Sequence, residues 1–491
     1  MARRIRWLGL VMVACFVLLF LQLNEIQVIK GHKYANDPHN PQVLAAKYSQ
    51  TRGVIESADG VLLAQSVPAP AGATYKFQRQ YPTGALFGQI TGYFSYIYGT
   101  SGVENYYDSD LLSHNRPIKT LGDLLATPTV TDTITLTLSN QLQTDAMNAL
   151  GGSNGAIVVL DPTTGAVKAM YSNPSFDPSP LASQSTTTET AAWNADNARD
   201  SYGYDPFTSL AYQDIFPPGS TFKVVTTSAA YEHAPQLVNV PMPFFTCIPP
   251  KTFGGQTTPL CNYGSGGCGG TIAEMLPPSC DTGFAYLGTK IGAASMTTEA
   301  VSFGFNQQPP LDLPHSSFEV SQFLQPSCYG NAEIFLAFSS IGQKCTIASP
   351  LQMAMVAGGI ANNGVVMTPH VMSQVRDSQG NLVETYKPKP WTKATSQVTA
   401  AAVKNLMTQV ACCGTAAGVF PANEDVAAKT GTAQVGVGNS ATTDWMIAFA
   451  PASAPKVAVA VMIPNQSLSA TGAEVAGPIM QTMISDALAA P

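Results

Sequence analysis

Residues 151–491 are predicted to fold as one α+β domain whose antiparallel sheet is assembled from both ends of the segment. Near its start, "GAIVVLDPTTGAVKAMYS" is two β-rich runs joined by an Asp161-Pro162-Thr163-Thr164-Gly165 turn, the pattern of an antiparallel hairpin. Near its end, "DWMIAFAP", "KVAVAVMI" and "VAGPIMQTMISDALAA" read as strand, strand and helix. Helical periodicity and loops dominate between, so the two ends have to meet in space for the sheet to close.

Two segments precede this domain. In residues 1–24, the uncharged run "WLGLVMVACFVLLFLQL" from Trp7 to Leu23 is close to the shortest helix that spans a bilayer, about 17 residues. Arg3, Arg4 and Arg6 precede the run and no such basic cluster follows it, so the positive-inside rule predicts a cytoplasmic N-terminus with the rest outside. No small-residue cleavage site follows the run, which favours a retained single-pass anchor over a signal peptide. Residues 25–150 are expected to form an N-terminal pedestal domain. It opens with "QTRGVIESADGVLLAQS", where apolar residues alternate around an Asp59-Gly60 turn, a hairpin signal. No cluster of acids and bases assignable to chemistry is evident there.

Composition narrows the function classes. Only 11% of the 491 residues are charged and the net charge is −7, so neither a nucleic-acid footprint nor a disordered acidic chain fits. The 41 glycines and 36 prolines indicate long loops between short elements. Eight cysteines lie beyond the anchor, an even set in an exported region that permits disulfides; the best pairing is Cys247 with Cys261 across a Gly-rich loop. With no C-x-x-C pair and no H-E-x-x-H, no metal site and no cofactor is expected.

The chemistry concentrates in "DIFPPGSTFKVVTTSAAYEHA". Pro217, Pro218 and Gly219 form a rigid approach, Ser220 falls at the first helical turn, and Lys223 at i+3 lies on the same face. A lone S-x-x-K is usually a cap and a solvated charge. "SAPK" at Ser453 to Lys456 makes the point, being a second match that lies in a turn between predicted strands. The first match gains weight because a serine hydroxyl needs a nearby base, and a lysine with a depressed pKa can be one. A second lysine would help depress it. "VAAKTGTAQVG" supplies Lys429, followed by Thr430, Gly431 and Thr432, where glycine leaves room for a substrate along a strand edge and Thr432 can offer a backbone N–H to an oxyanion.

Together these motifs resemble the penicillin-recognising serine acyltransferases, whose set is S-x-x-K, S-x-N and K-T/S-G in chain order. The middle motif has a counterpart in Ser279, Cys280 and Asp281 of "LPPSCDTGFAYLG". "RGVIESADGVLLA", "FPPGSTFK", "GQKCTIASPLQMAMVAGGIANNGVVMTPHV" and "AAKTGTAQVG" each look like class B penicillin-binding proteins, nearest to the short actinobacterial penicillin-binding protein A type. The resemblance implies a serine transpeptidase/β-lactamase-like fold with an antiparallel sheet, flanking helices and an all-helical lobe. It implies a peptidoglycan D,D-transpeptidase acting on stem peptides, acylated by β-lactams, and partnered by a multispanning membrane glycosyltransferase.

Position by position, the resemblance makes Ser220 the nucleophile and Lys223 its base. Ser279 lies between the lysines and relays protons, and Lys429 binds the substrate carboxylate with Thr430. The backbone amides of Ser220 and Thr432 form the oxyanion hole. Asp281 stands where the family has asparagine, and an ionised carboxylate can only accept hydrogen bonds. This departure keeps a non-catalytic scaffold as the alternative, beside a β-lactam hydrolase or D,D-carboxypeptidase on the same fold. No E-x-x-L-N supplies a deacylating glutamate, and Tyr329-x-Asn331 is a lesser match to the middle motif.

Overall fold

Five antiparallel strands form the central sheet in the order Val167–Asn173, Gly155–Leu160, Val457–Gln466, Ala441–Ala450 and Ala427–Val435. The two ends of the segment therefore meet at the seam between Gly155–Leu160 and Val457–Gln466, as the hairpin and the terminal strand patterns predict. The computed structural model describes residues 2–25, 48–112, 114–115, 129–254, 259–264, 266–330, 332–436 and 440–490. Strand Gly155–Leu160 is buried throughout, and Ala441–Ala450 is buried at every position but its first, because helices cover both faces. Helices Asn140–Leu150 and Gly472–Ala489 pack together on one side, Pro350–Ala361 and Gln397–Cys413 on the other.

The first hairpin is fixed by its turn chemistry. Asp161 Oδ1 accepts from the backbone N–H of Thr163 at 2.7 Å, and Gly165 closes the turn at φ +80°. A Cβ on Gly165 would lie 2.2 Å from the Thr368 carbonyl oxygen, so the turn seats directly on that backbone.

A second sheet of six strands runs Leu382–Thr385, Met372–Arg376, Thr133–Leu136, Ile55–Glu56, Leu62–Pro68 and Phe77–Gln80. Its Ile55–Glu56 and Leu62–Pro68 pair antiparallel around Gly60 at φ +77°, the hairpin the Asp59-Gly60 signal predicts. Two of its strands come from residues 372–385, within the stretch read from sequence as helices and loops. Strand Leu382–Thr385 offers no alternation to read, since it is exposed along its whole length. Beside this sheet, buried Glu104 takes Arg52 Nε at 2.5 Å and Arg79 Nε at 2.7 Å. Removing Glu104 takes the shared carboxylate from two buried arginines, at a cost of about 3–5 kcal/mol.

The N-terminal helix Ala2–Asn24 carries a 19-residue stretch, Arg6–Asn24, of mean hydropathy 2.2. Among the described residues it is the one helix long and apolar enough to cross a membrane. Cys247 and Cys261 form a disulfide, as expected, and Cys268–Cys280, Cys328–Cys345 and Cys412–Cys413 are also paired.

Candidate active site

Ser220 sits in a turn of 3-10 helix, Gly219–Phe222, that runs into helix Lys223–His233. The turn is clamped by backbone. Gly219 adopts φ +54° and donates its N–H to the Gly342 carbonyl at 2.9 Å, while the indole N–H of buried Trp445 donates to the Pro217 carbonyl at 2.9 Å. A Cβ on Gly342 would come within 2.0 Å of the Gly219 oxygen, and one on Gly431 within 2.7 Å of the Pro218 oxygen. Thr221, Phe222 and Lys223 are fully buried, with Phe222 stacked on Phe323, which leaves Ser220 facing the cavity.

Around Ser220, three segments far apart in sequence bring the predicted residues together. Lys223 Nζ donates to Ser279 O at 2.7 Å and Asp281 Oδ1 at 2.6 Å, and lies 3.3 Å from Ser279 Oγ. Lys429, on the edge strand Ala427–Val435, donates from Nζ to Ser279 Oγ at 2.8 Å. The Ser279 hydroxyl thus lies between two lysine amino groups. Ser220 Oγ donates to Asp281 Oδ1 at 3.3 Å, the same oxygen that Lys223 holds. Ser279 adopts φ +61°, a conformation costing about 1–3 kcal/mol in a residue with a Cβ. It is pinned by its own N–H to Leu276 O at 3.1 Å and by the next N–H, of Cys280, to Met275 O at 2.9 Å. Cys280 is tied to Cys268 and caps helix Asp281–Ile291, so a disulfide adjoins the middle motif.

Both lysines are fully buried. Burial pulls Lys223 below its ordinary value, against the opposing pull of Asp281. Lys429 is driven well below its ordinary value by burial and then by the like charge of Lys223, with Asp281 again opposing. These are the conditions in which an amine can serve as a base near neutral pH.

Thr430, Gly431 and Thr432 line a cavity of about 360 Å³ together with Ser220, Ser279 and Asp281. Thr430 Oγ1 lies 2.6 Å from Thr415 Oγ1. Thr432 Oγ1 accepts from Gly472 N–H at 3.1 Å and bonds Asp444, whose carboxyl burial pushes up to about 6. A larger cavity of about 800 Å³ elsewhere includes Lys456 of the second S-x-x-K match; Ser453 is not among its walls and is exposed in its turn. Asn331 of the lesser middle-motif match lies outside the described residues.

Three features of the site escape sequence reading. Tyr263 and Asn262 follow Cys261 in "CNYGSGGCGG" without any spacing rule, and Thr415 reaches Thr430 only through the fold. The Cys268–Cys280 staple had a signal, since Cys280 lies inside the middle motif and belongs to an even set.

Comparison with known proteins supplies the family and the fold. The family model of the penicillin binding protein transpeptidase domain matches residues 155–485, and that of the penicillin binding protein A dimerisation domain matches 52–129. The peptidoglycan D,D-transpeptidase PbpA of Mycobacterium tuberculosis is 33% identical over 503 aligned positions, covering 99% of this chain and 98% of the relative. Solved structures of penicillin-binding protein A from M. tuberculosis as acyl-enzymes superpose over 90% of this chain and 100% of theirs. The ceftriaxone complex has a TM-score of 0.81 at 31% identity and the penicillin G complex 0.80 at 32%. The S-x-x-K turn, the two buried lysines and a matching length from end to end therefore have one explanation: the chain belongs to the class B penicillin-binding protein transpeptidases.

Proposed function

We propose a division of labour within the site of this peptidoglycan D,D-transpeptidase, in which Ser220 is the acylated residue. Ser220 Oγ attacks the carbonyl of the penultimate D-alanine of a donor stem peptide while its proton passes to neutral Lys223. The backbone N–H groups of Ser220 and Thr432 receive the oxyanion. As the tetrahedral intermediate collapses, the C–N bond breaks, a proton relayed through Ser279 goes to the leaving amine, and D-alanine departs. The acceptor amine of a second strand then attacks the ester, its proton returns through Ser279 and Lys223, and Ser220 is released. Lys429 with Thr430 holds the donor carboxylate. A β-lactam enters by the same first step, with its ring amide as the bond that breaks, and is covalently retained.

The observation that carries this reading is the Ser279 hydroxyl held between two fully buried lysines beside the serine turn. Intact-mass measurement after penicillin treatment should show one adduct that disappears in Ser220→Ala; an adduct that persists would move the nucleophile elsewhere.

The anchor reading extends to topology. Arg3, Arg4 and Arg6 favour a cytoplasmic tip before a single span, with residues 25–150 as a pedestal that lifts the catalytic domain, residues 151–491, outside the membrane. A multispanning glycosyltransferase is the partner this arrangement suits, because the chain has its transpeptidase chemistry but needs nascent strands delivered at the membrane. Accessibility of an N-terminal tag from the cytoplasmic side alone would support the orientation.

A further inference from the structure

We propose that Tyr263 is a strap across the mouth of the active-site cleft that selects ligands by the bulk of their acyl chain. The inference rests on Ser220 being the acylated residue. The base of the strap is fixed on the middle-motif side. Tyr263 N–H donates to Asp281 Oδ2 at 3.1 Å, and the neighbouring Asn262 accepts from Thr282 N–H at 2.9 Å and donates to Phe245 O at 2.8 Å. Cys261, one residue further back, is bonded to Cys247.

The tip of the strap reaches the opposite wall. Its phenol shares one proton between the carbonyls of Leu468 at 3.0 Å and Ala470 at 2.8 Å, in the connection between strand Val457–Gln466 and helix Gly472–Ala489. That connection is itself fixed at its far end. Gly472 donates to Thr432 Oγ1, and a Cβ on Gly472 would lie 2.4 Å from the Gly431 oxygen, so it is packed on the edge strand. Tyr263 and Gly472 both line the cavity that holds Ser220, while the tyrosine is 43% exposed. Its ring is a wall of the cavity on one side and open to solvent on the other.

A purely structural brace would bury its ring; this one holds across the cleft by a single hydroxyl. A slender stem peptide can lie along the edge strand beneath it, whereas a branched or aromatic acyl group has to displace the phenol first. The strap also accounts for Asp281. Oδ1 serves Lys223 and Ser220 while Oδ2 holds the strap, and an asparagine has only one acceptor oxygen to divide between those tasks.

The test compares second-order acylation of the full-length chain by two penicillins that share a nucleus: 6-aminopenicillanic acid, which has no acyl side chain, and piperacillin, which has a bulky one. Losing one hydrogen bond shifts an equilibrium by about two- to tenfold. Tyr263→Phe should therefore accelerate piperacillin by about that factor, leave 6-aminopenicillanic acid within about twofold, and raise hydrogen exchange at residues 467–471. The double variant Cys247→Ser with Cys261→Ser, which frees the base rather than the tip, should show the same selectivity. Equal changes for both penicillins, or none for either, would overturn the strap. If the parent chain carries no adduct on Ser220, the site assignment fails and the strap with it. If Ser220 is labelled without discrimination, the strap alone fails.

Discussion

Asp281→Asn is the substitution that asks most of the electrostatic reading. Lys223 Nζ stands 2.6 Å from Asp281 Oδ1 in a fully buried position, so the carboxylate is the main force holding that lysine protonated. An opposite charge at such range is worth roughly 1–3 pKa units. With the charge gone, burial acts on Lys223 unopposed. The rising limb of the acylation rate should then move to lower pH by about 1–3 units, and the rate at neutral pH should rise by up to about tenfold for each unit moved. The assay is the second-order acylation rate from about pH 6 to 10, measured with 6-aminopenicillanic acid so that loosening of Tyr263 does not contribute. An Asn variant that is slower throughout, or whose limb stays in place, would refute the reasoning. The carboxylate would then be supplying something other than charge compensation, such as the acceptor for the Ser220 hydroxyl.

The two lysines should fail differently. Lys223→Ala removes the proposed base and should abolish acylation at any β-lactam concentration, whereas Lys429→Ala should be partly rescued by more ligand; equal rescue would contradict the proposed roles. Gly342→Ala places a Cβ 2.0 Å from the Gly219 oxygen and should impair acylation more than thermal stability, read by labelling and by Tm. The buried amine of Lys429 also links stability to pH. Its folded value is depressed, so between that value and the unfolded value of about 10.4 the unfolded chain binds more protons and stability rises with pH. The stability advantage of Lys429→Met over the parent should accordingly shrink as pH is raised through this window in denaturant titrations.

Legibility in the sequence followed the range of the interactions involved. Hairpins with Asp-Gly or Asp-Pro turns were readable because their determinants lie within a few residues, and the turns at Gly60 and Gly165 adopt the positive φ that such signals require. The S-x-x-K and K-T-G motifs were readable because each packs its chemistry into four positions or fewer. Strand Leu382–Thr385 was not, since an exposed edge strand carries no alternation to detect. Tyr263 was invisible for a different reason. Its partners Leu468 and Ala470 are backbone carbonyls some two hundred positions away, and a backbone acceptor leaves no mark on residue choice. Cys268–Cys280 falls between these cases, because composition announced that disulfides were permitted while only the fold placed one beside Ser279.

The site holds two buried amines on either side of Ser279 and one carboxylate against Lys223, so it cannot comfortably hold two ammonium ions. In the proposed binding mode a ligand carboxylate at Thr430 would change that balance. It would favour the proton on Lys429, and the nearby like charge would then disfavour one on Lys223, leaving the proposed base free when a ligand is in place. The ligand's carboxylate would thereby contribute to the chemical step as well as to binding. This separates from simple affinity by its pH dependence. A penicillin methyl ester should acylate more slowly than the free acid near neutral pH, and the gap should narrow in alkali, where Lys223 is already neutral. A ratio of acid to ester rates that stays flat across the series would mean the carboxylate contributes affinity alone, and the coupling of the two lysines would then play no part in activating Ser220.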